Sequence, residues 1–243
     1  MNIRRFLILT LKDPGTFYAI GNACLFAVVN ALSFIAILLT LGFCIFCRWA
    51  ASNSHNEGKF ALFQHMGQNP YLGLELMGYT CLLVALMALI NQTLIGFICS
   101  ACFGYANVIL AHNLRLENAQ TSVPFQEILH KIRSNESLTP LILALTKEPI
   151  VLISLGLLYS GLSAGTSSLL VLPLICLAPY LSIVKSNMNR AIPQTCFAVC
   201  TLWYALVGLS NHQLIPAFAN ACFTIAFIKV ALTENQIYRQ SHV

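Results

Sequence analysis

Charged residues are scarce in this chain: Asp, Glu, Lys and Arg make up 9% of its 243 residues, where a soluble domain carries about 25%. A water-soluble fold of this length could not hide the 58% of residues that are apolar. A single core stops growing, and the surplus would face water. Lipid removes that limit, and the mean hydropathy of +0.75 agrees with it. Catalytic signatures are missing as well. There is no G-x-S-x-G, no H-E-x-x-H, no phosphate-binding loop and no pair of carboxylates at membrane depth, so neither an enzymatic activity nor a cofactor is expected. No basic cluster with interleaved aromatics occurs, which argues against nucleic acid as a partner. A cleavable leader is not expected either. Arg4 and Arg5 resemble its basic start, but Lys12 and Asp13 interrupt before the apolar run.

Cysteine, in contrast, is plentiful. All ten cysteines lie within apolar runs or at their edges, where Cys acts as a small, soft packing residue. The pairs Cys44/Cys47, Cys99/Cys102 and Cys196/Cys200 have helical spacing. A metal would need thiolates or nearby His at the same depth, and none of the six His supplies that, so no metal site is expected.

The apolar runs define the expected architecture: an all-α, polytopic transmembrane helical bundle forming one membrane domain over residues 1–243. Residues 17–47 form an N-terminal apolar element, too long for one upright span and short for two. It is either one strongly tilted helix or two half-helices breaking near Asn30, Ala31, Leu32 and Ser33. A polar loop over 48–69 follows, with room for a short interfacial helix over 60–66. Six firm spans are then expected in three tight hairpins: 70–112 with its break at Asn91, Gln92 and Thr93, 149–184 with its turn at 165–167, and 185–231 with its turn at Asn211, His212 and Gln213. An amphipathic interfacial connector over 113–148 joins the first hairpin to the second, and a polar tail occupies 232–243. Within the connector, Phe125, Ile128, Leu129 and Ile132 recur at helical spacing opposite Gln126, Glu127, Lys131 and Arg133. The hairpins recur as a shape, but no sequence repeat stands out.

Lys and Arg decide the orientation. The three hairpin turns carry none, while Arg48, Lys59, Arg115, Lys131, Arg133, Lys147, Lys185, Arg190, Lys229 and Arg239 fall in loops and ends on the other side. The positive-inside rule makes that side, with the C-terminus, cytoplasmic. The side of the N-terminus depends on the path of residues 17–47.

A few residues inside the runs carry the candidate roles. Small-x-x-x-small pairs at Ser100/Gly104, Gly161/Gly165 and Ala217/Ala221 mark helix-packing grooves. Pro173 and Pro179 would break or kink the fifth span. Asn107 and Asn220 are the polar lining candidates, and Glu75 with Lys229, the charges found within the runs, is a candidate interfacial ion pair.

From residue 69 onward the layout resembles small multi-pass bacterial inner-membrane proteins of the YciC-like type. The resemblance rests on Asn69-Pro70-Tyr71-Leu72 through Asn107, Pro124-Phe125-Gln126-Glu127-Ile128-Leu129, Gly156-Leu157-Leu158-Tyr159, and Leu177-Ala178-Pro179 leading to Lys185. It implies a six-helix core in a bacterial inner membrane, an organellar inner membrane being the alternative, and transfers no catalytic residues. Three functions remain open. One is a non-catalytic structural or accessory subunit packing against lipid, other membrane proteins or itself. The second is a small-solute transporter or channel built on the Pro173/Pro179 helix, and the third a redox or cofactor-binding subunit.

Overall fold

The computed structural model describes residues 3–53, 61–116, 148–164, 170–184 and 189–241. Ten helices occupy them: α1 (Ile3–Lys12), α2 (Pro14–Val29), α3 (Ala31–Asn53), α4 (Ala61–Gln68), α5 (Leu72–Ile90), α6 (Leu94–Leu116), α7 (Pro149–Ala164), α8 (Leu172–Val184), α9 (Ala191–Ser210) and α10 (Leu214–Ser241). The amphipathic connector read over 124–133, the turn at 165–167 and Gly165 itself lie outside the described residues. No strand occurs among those described, as backbone groups in hydrocarbon demand when no barrel is formed.

Residues 17–47 form two helices. Asn30 ends α2, with extended backbone, and its side-chain oxygen accepts hydrogen bonds from the amides of Leu32 and Ser33, starting α3. The polar loop expected over 48–69 is helical in its described parts, α3 continuing to Asn53 and α4 occupying Ala61–Gln68. Arg48 is therefore a helical residue, and it is fully buried. Its Nη2 donates to Asp13 Oδ2 at 2.5 Å and its Nη1 to the carbonyl of Leu9. Asp13 caps α2 by accepting from the Gly15 amide at 2.8 Å, with Pro14 in the first turn. It also accepts from the Gly73 amide at 2.5 Å, at the start of α5. Three helices, α2, α3 and α5, thus meet on one carboxylate, and Arg48 ties α1 to them through the Leu9 carbonyl. The backbones touch there: a Cβ on Gly15 would fall 1.8 Å from the Leu74 nitrogen.

This contact settles the path of the N-terminal element. The start of α2 and the end of α3 lie at the same end of the bundle, so the two helices make a fourth hairpin. Each later hairpin closes at that end too. Glu75 pairs with Arg115 across α5/α6, Ser182 lies beside Glu148 across α7/α8, and the Asn189 amide donates to Asn235 at 2.7 Å across α9/α10. Every described Lys, Arg, Asp and Glu belongs to this end, and the opposite turns at 91–93 and 211–213 carry no charge.

The arrangement exposes a duplication that the sequence reading above did not recognise. Residues 69–111 match residues 189–231 without a gap. Among the shared residues are Asn69/Asn189, Leu82/Leu202, Asn91/Asn211, Leu94-Ile95/Leu214-Ile215, Ala101-Cys102-Phe103/Ala221-Cys222-Phe223 and Ala106/Ala226. Both turns use the same geometry, a left-handed residue at Gln92 (φ 56°) or His212 (φ 58°), with equivalent backbone bonds on either side. Upstream, Lys12-Asp13-Pro14 matches Lys147-Glu148-Pro149, and Gly21 matches Gly156. The contacts obey the same symmetry. α2 packs on α10, α7 packs on α6, and a Cβ on Gly21 would meet the Phe223 ring at 2.7 Å while one on Gly156 would meet Phe103 at 2.9 Å. The chain is two repeats, α2–α6 and α7–α10, related by a pseudo-twofold axis that runs from the charged end to the uncharged one.

Five helices are long and apolar enough to cross a membrane: α3, α5, α6, α9 and α10. The count departs from the six firm spans expected. α3 joins the list, while α7 and α8, with 16 and 13 residues, rise about 24 and 20 Å against a hydrocarbon core of about 30 Å. Large apolar side chains such as Leu39, Leu86, Ile90, Leu206 and Phe218 face outward, as in a protein surrounded by lipid. The chain is an integral membrane protein.

Burial raises the Asp13 carboxyl to about 6, against the lowering effects of Arg48 and of the Gly15 and Gly73 amides. The folded state therefore holds this proton more tightly than the unfolded chain. The associated stability is complete below the ordinary Asp value of about 4 and fades as pH rises through about 6. Arg48→Met removes the counter-charge, so it should cost about 3–5 kcal/mol at neutral pH and move that window upward, while Asp13→Asn/Arg48→Met should cost much less. Thermal unfolding in detergent across pH checks both.

Candidate functional site

The two repeats do not close completely against each other. A cavity of about 460 Å³ lies between them, lined by α2, α5, α6, α7, α9 and α10, and it reaches the α9–α10 turn at Asn211 and Gln213. Both turn residues are exposed, so the cavity communicates with the uncharged end. Its walls follow the pseudo-twofold axis. Cys81 and Thr201, Val84 and Tyr204, Ser100 and Asn220, and Phe103 and Phe223 are equivalent positions of the two repeats, and all of them line the cavity. Gly21 and Gly156 place the first helix of each repeat against the last helix of the other, and the cavity opens between these two seams.

Asn107 and Asn220, the two polar residues singled out from the sequence, both line it. They differ in state. The Asn220 amide nitrogen donates to the Pro216 carbonyl at 2.9 Å, and Asn22, a third lining amide, donates to the Tyr18 carbonyl at 3.0 Å. The side chain of Asn107 is 4% exposed and makes no hydrogen bond among the described residues. Two phenols add to it: the hydroxyls of Tyr18 and Tyr204 line the cavity, are buried, and have no hydrogen-bond partner. Native interiors satisfy nearly all such groups, so two unpartnered phenols around a single cavity, beside an amide that makes no hydrogen bond among the described residues, mark it as a place for a ligand. Thr201 is different: it bonds Thr224 on α10 at 3.0 Å and serves to join helices. Among the described residues, no Asp, Glu, Lys or Arg lines the cavity. What fits is an uncharged molecule with hydrogen-bonding groups and an apolar body, which Leu25, Phe26, Leu157 and Phe227 would enclose.

The other sequence candidates fall elsewhere. Pro173 and Pro179 do not reach the cavity, since α8 contributes nothing to its lining. Pro173 sits in the first turn of α8, where no helical hydrogen bond is lost, and only Pro179 interrupts the helix. Glu75 and Lys229 do not pair. Glu75 binds Arg115, and Lys229 lies 5.3 Å from the centre of the Phe17 ring. Gly104 packs tightly on α5, where an added Cβ would meet the Leu82 nitrogen at 2.8 Å, and Gly78 does the same from the other side. Ser100 faces the cavity. Ala217 packs on Gly208, 3.1 Å from its projected Cβ, and Ala221 is half-buried. Gly161 belongs to α7, but its surroundings lie outside the described residues. Among those described, no three His, Cys, Asp or Glu side chains gather as a metal site.

Because these groups have no hydrogen-bond partner among the described residues, removing them should not weaken the fold. Asn107→Leu, Tyr18→Phe and Tyr204→Phe should leave stability within about 0.5 kcal/mol of the parent or raise it, whereas loss of a structural hydrogen bond in the interior costs about 1–3 kcal/mol. Thr201→Val is the contrasting control and should lower the unfolding midpoint. Comparison with family models, with curated proteins and with solved structures gives no match.

Proposed function

We propose that this protein is a transporter for a small uncharged solute, bound in the cavity between its two repeats. The observation that carries the reading is the coincidence of that cavity with the pseudo-twofold axis. Secondary transporters are commonly built from internal repeats, with the substrate site at the repeat interface and access alternating as one repeat rocks against the other. An accessory-subunit role draws its support from the absence of charges at membrane depth and from the small-residue grooves, and it supplies no reason for a polar-lined cavity between the repeats. The Pro173/Pro179 helix has no part in the mechanism as read here.

Charge asymmetry extends the reading to topology. With every described charge at one end, the positive-inside rule puts that end and the C-terminus in the cytoplasm, and the cavity faces outward, in a bacterial inner membrane. The N-terminal helix α1 is then cytoplasmic too, since Arg48 holds the Leu9 carbonyl.

A thermal-shift screen of uncharged solutes on the purified protein tests the proposal. At least one hydroxyl- or carbonyl-bearing solute should raise the unfolding midpoint of the parent and be taken up by proteoliposomes. Both effects should fall about tenfold or more in Asn107→Leu and Tyr204→Phe, since each lost hydrogen bond is worth about 1–1.5 kcal/mol. Stabilisation that survives both substitutions, or binding without uptake, would contradict it.

A further inference from the structure

The two repeats begin with the same three-residue phrase, Lys-acid-Pro, yet the acid is handled differently in each. In the first repeat Asp13 is bound by Arg48 and by the amides of Gly15 and Gly73. In the second, the position equivalent to Gly73 is Pro193, which has no amide hydrogen to give, and Ile150 follows Pro149 where the first repeat has Gly15. The helices that Asp13 pins together, α2 and α5, have as counterparts α7 and α9, which make no comparable contact. Glu148 is left with both carboxylate oxygens buried and no well-formed hydrogen bond to either, the Ser182 hydroxyl and the Ile150 amide being the nearby donors that act on it.

The groups facing it form an incomplete network. From α9 comes Arg190, with Nη2 at 3.9 Å from Glu148 Oε2, beyond hydrogen-bonding distance. From α10 comes Glu234, buried and acted on by both Arg190 and Glu148. From α8 comes Ser182, which is uncharged, and the one described cation near the end of α6, Arg115, is engaged with Glu75. Among the described residues, two carboxylates therefore share a single guanidinium. One helical turn beyond Arg190, on the same face of α9, Gln194 is fully buried and neither its amide nitrogen nor its oxygen has a partner. A further two turns along that face lies Thr201 at the cavity wall.

We propose that Glu148 and Glu234, with Arg190 between them, form a proton-binding site at the charged end of the second repeat. One carboxylate keeps the guanidinium company while the other takes a proton from water and becomes a neutral carboxylic acid, so a single positive charge faces a single negative one. No electrons move and no other reactant is needed. Arg190, with a fifth of its side chain exposed, marks the route from solvent. Burial acts in the same direction, pushing the Glu148 carboxyl upward against the lowering effect of Arg190. The inference goes beyond the transport reading and does not rest on it, since proton binding needs no solute.

Sign and size can be stated. A raised folded-state value means that stability is complete below the ordinary Glu range and is lost as pH rises through the raised value. Each unit of displacement is worth about 3–5 °C in a chain of this length. In detergent, the unfolding midpoint of the parent should fall over that window, and Glu148→Gln, which mimics the neutral acid, should flatten the fall. Infrared difference spectra between about pH 5 and 8, above the ordinary Glu value of about 4.3, should show a protonated-carboxyl band that Glu148→Gln removes. Should that variant fail to fold, Glu234→Gln serves instead: without its like-charged neighbour Glu148 should release its proton at lower pH, shifting the window downward. An unchanged profile and an unchanged band in both variants would overturn the proposal. So would stabilisation by Na⁺ over K⁺ at fixed pH, which would identify a metal cation as the ligand.

Discussion

Close backbone approach between the repeats is the constraint on which the rest of the structure depends. Lipid gives helices no hydrophobic reason to associate, so contact must come from packing and hydrogen bonding. Gly21 and Gly156 supply it twice, each admitting a phenylalanine ring from the last helix of the other repeat. Inside each repeat the hairpins α5/α6 and α9/α10 use other small residues, Gly78 with Gly104 and Gly208 with Ala217. The cavity follows from this. Where the seams hold, helices touch, and between them the lining residues of the two halves stand apart across the axis.

Symmetry also explains why polar residues are distributed as they are. Duplicated positions have diverged into complementary chemistry: Val84 against Tyr204, Cys81 against Thr201, Ser100 against Asn220, and Asn107 against Phe227. At each pair one member supplies a hydrogen-bonding group and the other a smaller, weaker or apolar surface. A symmetric shell has acquired an asymmetric lining, which suits a ligand lacking symmetry of its own. The charged end has diverged in the same way. Asp13 accepts short hydrogen bonds from α2, α3 and α5, while Glu148 has only the more distant Arg190 as its counter-charge among the described residues.

Much of this was legible in the residues. The break at Asn30 shows as a polar interruption in an over-long apolar run, and its side chain does start a new helix. The turns at 91–93 and 211–213 and the lining roles of Asn107 and Asn220 follow from polar residues in apolar surroundings. Other features were hidden for physical reasons. Arg48 reads as the start of a loop because its partner lies 35 residues away, and only the packing of α2 against α3 and α5 turns it into a buried helical residue. The repeat is obscured because the spacing between equivalent segments changes from 135 residues at Lys12/Lys147 to 120 at Asn69/Asn189. Its matches are also drawn from the few apolar residue types that any membrane helix uses. Pro173 and Pro179 drew attention as helix breakers, but a proline in the first turn breaks nothing.

The most direct test of two repeats joined about a central cavity is paired-cysteine cross-linking in a background without other cysteines. Gly21→Cys with Phe223→Cys, and separately Gly156→Cys with Phe103→Cys, should each be joined by a short bifunctional thiol reagent in membranes, with a control pair of Gly21→Cys with Phe103→Cys unlinked. Cross-linking at one seam without the other, or equal linking of the control, would contradict the twofold arrangement and with it the cavity between the repeats.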